Sequence, residues 1–139
     1  MSEIVKNYFL IALGSALGGM GRFWIGGLVA ERMSKSILPV FPWNTLAVNV
    51  TGSFIIGILG ALTLSAESKL GGNLRSFANH FLIVGVCGGY TTFSSFSLQT
   101  LNLMNDGEWL YVFGNIVGSV VLCLIAVWLG FLLGQLLNR

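Results

Sequence analysis

Apolar residues fall along this chain in four long blocks, roughly 8–29, 45–64, 77–104 and 111–137, with charge gathered between them. Each block holds ~20 residues or more, enough for a helix to cross the ~30 Å hydrocarbon core of a bilayer. The pattern predicts one four-helix transmembrane domain over residues 1–139. The first block is too long for the apolar part of a cleaved signal peptide, so it is expected to be a span. Pro39-Val40-Phe41-Pro42-Trp43-Asn44 closes the first connection. It suits a helix start near Thr45 with Trp43 at the headgroup level. Asn105-Asp106-Gly107 reads as a turn and makes the third connection tight. Paired glycines followed by β-branched threonines, Gly88-Gly89-Tyr90-Thr91-Thr92, predict a break near the middle of the third helix.

Composition agrees. Only 9% of the 139 residues are charged and mean hydropathy is +0.84, against ~25% charge in soluble domains. A soluble enzyme, a disordered tail and a nucleic-acid binder are excluded, the last because a net charge of +2 is too small a footprint. Cys87 and Cys123 stand in apolar runs without a CxxC spacing and are expected to be buried, reduced and inert. Gly14 and Gly18, Gly114 and Gly118, Gly130 and Gly134, and the series Ser53, Gly57, Ala61 are spaced by four. Small residues at that spacing let membrane helices pack closely. Four spans leave both termini on one side, with Lys6, Lys69, Arg75 and Arg139 facing Arg32 and Lys35 on the other. That bias is weak under the positive-inside rule. Two readings stand: small-number noise, or insertion in both orientations with antiparallel self-pairing.

Polar groups inside a span need a reason. Arg22, the one basic residue within a block, either snorkels to the interface or lines an aqueous vestibule that concentrates an anion. Thr45, Asn49 and Ser53 make a polar stripe ~12 Å long on the second helix, at 1.5 Å per residue. Tyr111, Asn115 and Ser119 repeat it on the fourth. Interhelical hydrogen bonds contribute only ~0.6 kcal/mol each on average, too little to account for two such stripes. Neutral hydroxyls and amides suit the path of a partly dehydrated anion. Carbonyls freed by the break could hold a small hard cation. Phe93 and Phe96 share a face of the helix, where core packing is the simplest explanation of their spacing.

Gly21-Arg22-Phe23-Trp24, Thr45 to Gly52, Gly88 to Ser97 and Asn115-Ile116-Val117-Gly118-Ser119, in that order, resemble the Fluc (CrcB) fluoride channel family across essentially the whole chain. The resemblance implies a four-helix subunit of an antiparallel, dual-topology homodimer in the cell (inner) membrane. Two pores would carry fluoride passively out of the cell and relieve its toxicity. It assigns Arg22 and Asn49 to the pore mouth, and Phe93 and Phe96 to a pair of rings whose edges face fluoride. Ser94, Ser95, Tyr111, Asn115 and Ser119 fall on the polar track. The backbone carbonyls of Gly88 and Thr91 fall where the family holds a structural sodium ion (Na+) on the dimer axis. Two positions depart from the pattern: Gln99, where relatives often have Glu, and Tyr90, where they commonly have Leu.

Two other functions compete. A small multidrug-type exporter also has four helices, but needs an intramembrane carboxylate for protons and cations. Glu3, Glu31, Glu67, Asp106 and Glu108 all lie outside the four blocks. A non-transporting assembly subunit would explain the glycines and leave both stripes and the break without cause. An enzyme is not expected, since His80 has no catalytic partner at motif spacing and belongs near the membrane surface.

Overall fold

A computed structural model describes residues 2–36, 38–65 and 71–138, with the side chains of 64 and 65 left out. Glu67, Lys69 and Arg139, which entered the charge comparison, lie outside the described residues. Helix α1 spans Glu3–Met33 and α2 spans Trp43–Ser65. Helix α3 runs without interruption through an α-helical start, Gly72–Phe77, a π-helical stretch, Ala78–Cys87, and a last α-turn, Gly88–Tyr90. Helix α4 covers Phe93–Asn105 and α5 covers Trp109–Leu137. Taking α3 and α4 together, four helical segments are long and apolar enough to cross a membrane. The chain is a multi-pass membrane protein.

The helices outrun the apolar blocks because their ends carry their own signals. The Ser2 hydroxyl accepts the Val5 N–H at 3.4 Å, Glu3 sits in the first turn of α1 and Arg32 in the last. Those charges complement the helix dipole at each end. At 31 residues α1 is ~46 Å long, so Glu3 and Glu31 sit at its ends, outside a ~30 Å core. Helix α2 begins at Trp43, two residues before Thr45, where the Pro42 carbonyl accepts the Leu46 N–H at 3.2 Å. The turn before α5 needs the left-handed backbone of Gly107, φ 76°, a conformation glycine adopts at little cost.

The break falls after the paired glycines. Gly88 and Gly89 are helical, and the chain opens at Thr91, ψ 158°, and Thr92, φ −152° and ψ 111°. Gly89 serves close approach instead: a Cβ there would stand 2.6 Å from the Ser15 carbonyl oxygen. The extended backbone belongs to the β-branched pair, which favours it. The π-helical stretch before the break was not expected. Its run, Ala78 to Cys87, is too uniformly apolar for residue spacing to separate an i→i+5 helix from an α-helix.

Two seams hold the bundle. On one, Gly14 and Gly18 of α1 meet Phe81, Gly85, Val86 and Gly89 of α3. On the other, Gly57 of α2 faces the Val127 carbonyl of α5, while Gly130 and Gly134 face the Phe54 and Ile58 carbonyls of α2. Gly114 and Gly118 share the spacing without the role. Gly114 has only the edge of Phe41 nearby, at 3.6 Å, and Gly118 has nothing within 4 Å.

Candidate functional site

Thr92, the second residue of the break, is pinned from α2. Asn49 Oδ1 accepts the Thr92 N–H at 2.8 Å, and Asn49 Nδ2 donates to the Thr92 carbonyl at 3.1 Å. One carboxamide thus satisfies a backbone donor and an acceptor of the break that lipid could not. Thr92 caps the next helix: its hydroxyl accepts the Ser95 N–H at 3.1 Å and lies 3.1 Å from the hydroxyls of Ser94 and Ser95. Arg22 Nη1 reaches the Thr91 carbonyl at 3.5 Å, the long limit of a hydrogen bond. Neither of its two sequence readings describes that contact, which turns the guanidinium toward the break.

Three cavities follow one another along this region. An open groove of about 360 Å³ is lined by Asn49, Ser53, Thr92, Phe93, Phe96, Ser119 and their neighbours. Thr92 also lines a smaller cavity of about 130 Å³ that collects Arg22, Thr45, Ser95 and Gln99. Gln99 and Asn44 in turn border a third, about 350 Å³, which opens past Trp43 to Asp106 at the helix end. Thr92 is the residue shared by the first two cavities, and Asn44 and Gln99 are shared by the last two.

Within it Asn49, Phe93, Phe96 and Ser119 come together on one groove, and Arg22, Thr45 and Ser95 on the next. Phe93 is 77% exposed and Phe96 half-buried, with ring centroids 5.3 Å apart and planes at 46°. Phe93 is therefore no core residue of this chain. Ser94 is exposed and bonded to Thr92 rather than to either groove. Tyr111 packs edge-on to Phe41, 6.4 Å between centroids. Asn115 is 1% exposed and faces α4: its Nδ2 donates to Thr100 Oγ1 at 2.9 Å, Ser119 donates to its Oδ1 at 3.4 Å, and Thr100 donates to the Phe96 carbonyl at 2.7 Å. Two residues of the second stripe, Asn115 and Ser119, thus belong to a buried relay of hydrogen bonds that ends on the Phe96 carbonyl, and Tyr111 stands outside it. Thr100, which sequence reading did not name, completes that relay; Thr92 lies in the segment expected to break and adds the capping role. Thr100 stands two turns after Thr92 on the same helix, a spacing that would have flagged it.

Gly88 is exposed and helical. The N–H that a continuous helix would send to its carbonyl is that of Thr92, which goes to Asn49. Among the described residues no three His, Cys, Asp or Glu cluster. Both cysteines are free, Cys87 buried and Cys123 half-buried on the first groove. His80 lies in the π-helical stretch, its Nδ1–H given to the Ser76 carbonyl at 2.7 Å.

The fold and site define a polytopic helical membrane protein with a polar path built around a broken helix. Residues 9–131 match the family described as CrcB-like protein, Camphor Resistance (CrcB), and the chain belongs to that family. It is 54% identical over 131 residues to the fluoride-specific ion channel FluC of Opitutus terrae, covering 94% of each chain. It is 50% identical over 133 residues to that of Methylocella silvestris, 96% of each. The FluC of Paramagnetospirillum magneticum is 49% identical over 133 residues, 96% of this chain and 98% of its own. The relatives named here are channels, not catalysts.

Proposed function

We propose that this chain is a fluoride channel that works as an antiparallel homodimer, passing the anion down its gradient and out of the cell through two pores. The observation that carries this reading is the groove beside the helix break where Asn49, Ser119, Phe93 and Phe96 converge. Its wall offers neutral donors and aromatic rings, and no lysine or arginine lines it. A ring has a negative face and a positive edge, so edges attract an anion without the binding strength of a buried cation. Conduction needs sites favourable enough to enter and weak enough to leave. Arg22, on the neighbouring cavity, would raise the local anion concentration. Membership of the family and the names of the relatives agree with the choice of anion.

The dimer follows from what one chain leaves uncovered. Phe93, Ser94, Ser97 and Thr51 are exposed at the break and on the middle of α2, where hydroxyls against lipid are costly. A second copy in the opposite orientation would cover the same face and form both pores, in keeping with the weak charge bias between the two sides. Tags on one terminus should then be labelled from both sides of the membrane; labelling from one side alone would reject dual insertion.

A structural sodium ion belongs to the same reading. The carbonyls of Gly88 and Thr91 suit a monovalent hard cation as oxygen dipoles without net charge: Gly88's has lost its usual donor, and Thr91's, which Arg22 Nη1 reaches only at 3.5 Å, keeps a second lone pair. When bound, the ion would offset those carbonyls and hold two breaks together. The exporter alternative lacks support, since the acidic residues of the described chain lie at helix ends and turns. The test is fluoride efflux from liposomes carrying the purified protein, with chloride as control. Fluoride should leave rapidly and chloride stay; equal fluxes would end the assignment.

A further inference from the structure

The groove and the break share one side chain, and its hydrogen bonds are directional. Thr92 N–H can only donate, so the atom 2.8 Å away on Asn49 must be its oxygen. The Thr92 carbonyl can only accept, so the atom 3.1 Å away must be the nitrogen. Rotating the carboxamide by half a turn would set donor against donor and acceptor against acceptor. Asn49 is therefore locked, and what it leaves for the groove is its second N–H, never its carbonyl. The same lock has a consequence on the other side of the break. Without an acceptor at Asn49, the Thr92 N–H would find its alternative in the Gly88 carbonyl, its partner in an unbroken helix, once the extended backbone at Thr91 and Thr92 turned helical. Buried backbone donors do not stay unpaired.

We infer that Asn49 is a positioning residue for the cation site: by taking the Thr92 N–H it keeps the Gly88 carbonyl free, and so couples the anion groove to the sodium ion. This rests on the sodium reading above. It gives Asn49 two tasks carried by different atoms. The oxygen holds the break open, and the second N–H is left for the groove that Asn49 lines.

The two tasks separate in two variants. Asn49→Leu keeps the approximate volume and removes the acceptor. Asn49→Asp keeps an oxygen for the Thr92 N–H in either protonation state and removes the outward N–H; it donates to the Thr92 carbonyl only when protonated, so the variant is read at a pH below and a pH above its titration. The readout is the thermal unfolding of the purified dimer as sodium replaces N-methylglucamine, measured beside fluoride efflux. Wild-type protein should be protected by sodium. In Asn49→Leu the sodium needed for half the protection should rise about tenfold or more, as when an outer-shell partner of a metal ligand is removed. In Asn49→Asp the sodium response should persist while efflux is lost. No protection of the wild type would end the sodium reading itself. Protection of the wild type with an unchanged response in Asn49→Leu, or a response lost in Asn49→Asp, would overturn the positioning role and leave the ion in place. If Asn49→Leu does not assemble, amide exchange decides. A slowly exchanging Thr92 N–H in wild type and Asn49→Asp sustains the lock, and fast exchange in the folded wild type refutes it.

Discussion

The seam between α2 and α5 is built of glycines among aliphatic residues and the helix α4 of phenylalanines, hydroxyls and amides, and the two behave in opposite ways. At the seam, glycines 57, 130 and 134 bring backbone against backbone, so that a Cβ at any of them would meet a carbonyl of the facing helix. Ala61, beside Gly134, is 1% exposed. Helix α4 instead packs mainly on α5 through Thr100 and Leu103, 6% and 4% exposed, and turns Phe93, Ser94, Ser97 and Leu98 outward. One region finishes its contacts within a single chain. The other presents rings and hydroxyls at membrane depth that one chain does not cover. Rigidity therefore belongs to the glycine seams, and the chemistry to the segment they hold in place.

Enlarging a seam glycine should have the largest effect. Gly57→Leu would drive its side chain into the Val127 carbonyl and, 2.9 Å from its Cβ, the Phe131 N–H. Backbone cannot rotate away as a side chain does, so we expect destabilisation beyond the ~1–3 kcal/mol of ordinary overpacking and no monodisperse protein. Gly118→Leu is the contrast, because nothing lies within 4 Å of that glycine. The protomer should fold. If it folds but no longer pairs, the outer face of α5 belongs to the dimer contact. Normal assembly of Gly57→Leu would show that the seam is looser than its geometry.

Phe93 and Phe96 come next, and they test α4 itself. Phe93→Ile removes little packing from one chain, since the ring is 77% exposed, so protomer stability should change by no more than ~0.5 kcal/mol, as at other surface sites. If the ring edges solvate the anion, fluoride efflux per assembled dimer should fall to the level of empty liposomes in Phe93→Ile and in Phe96→Ile. Phe→Met should keep part of the flux, because a flexible thioether can refill the space. Wild-type efflux from both Ile variants would return the pair to a packing role across the dimer.

Much of this division was legible in the sequence. Spans, tight turn and break follow from long apolar blocks, Asn-Asp-Gly and the Thr91-Thr92 pair, because lipid leaves a helix few alternatives. Glycine spacing was less informative: it marks Gly114 and Gly118 as strongly as Gly130 and Gly134, and only the facing helix decides which are used. Stripes mislead in a related way. Thr45, Asn49 and Ser53 are evenly spaced along one face, yet they divide between two cavities, and Asn115 is sealed against Thr100. Spacing says which residues share a face. It does not say which helix lies opposite or where a carboxamide sends its two groups.

The smallest effect we expect lies between the two regions, at Tyr90. Its ring is held between α1 and α2: a Cβ on Gly52 would stand 3.0 Å from it and one on Gly21 3.6 Å. Its hydroxyl lies 2.9 Å from Thr51 Oγ1. Thr51 already donates to the Ala47 carbonyl at 2.7 Å, so its proton is engaged and Tyr90 is the donor of the pair. Tyr90→Phe keeps the ring and removes the bond; Thr51→Val keeps the volume and removes the acceptor. A bond of this kind within a membrane contributes ~0.6 kcal/mol on average and ~1.7 at most. The double-mutant cycle of the two changes, read from unfolding equilibria in bicelles, should therefore return a coupling near the lower figure, with efflux unaltered. That outcome would make Tyr90 part of the scaffold, a packed ring with a minor polar contact. A coupling above ~2 kcal/mol, or efflux that falls with either single change, would mean that the phenol oxygen meets a donor beyond this chain. The boundary between scaffold and site would then run through Tyr90 instead of Thr91.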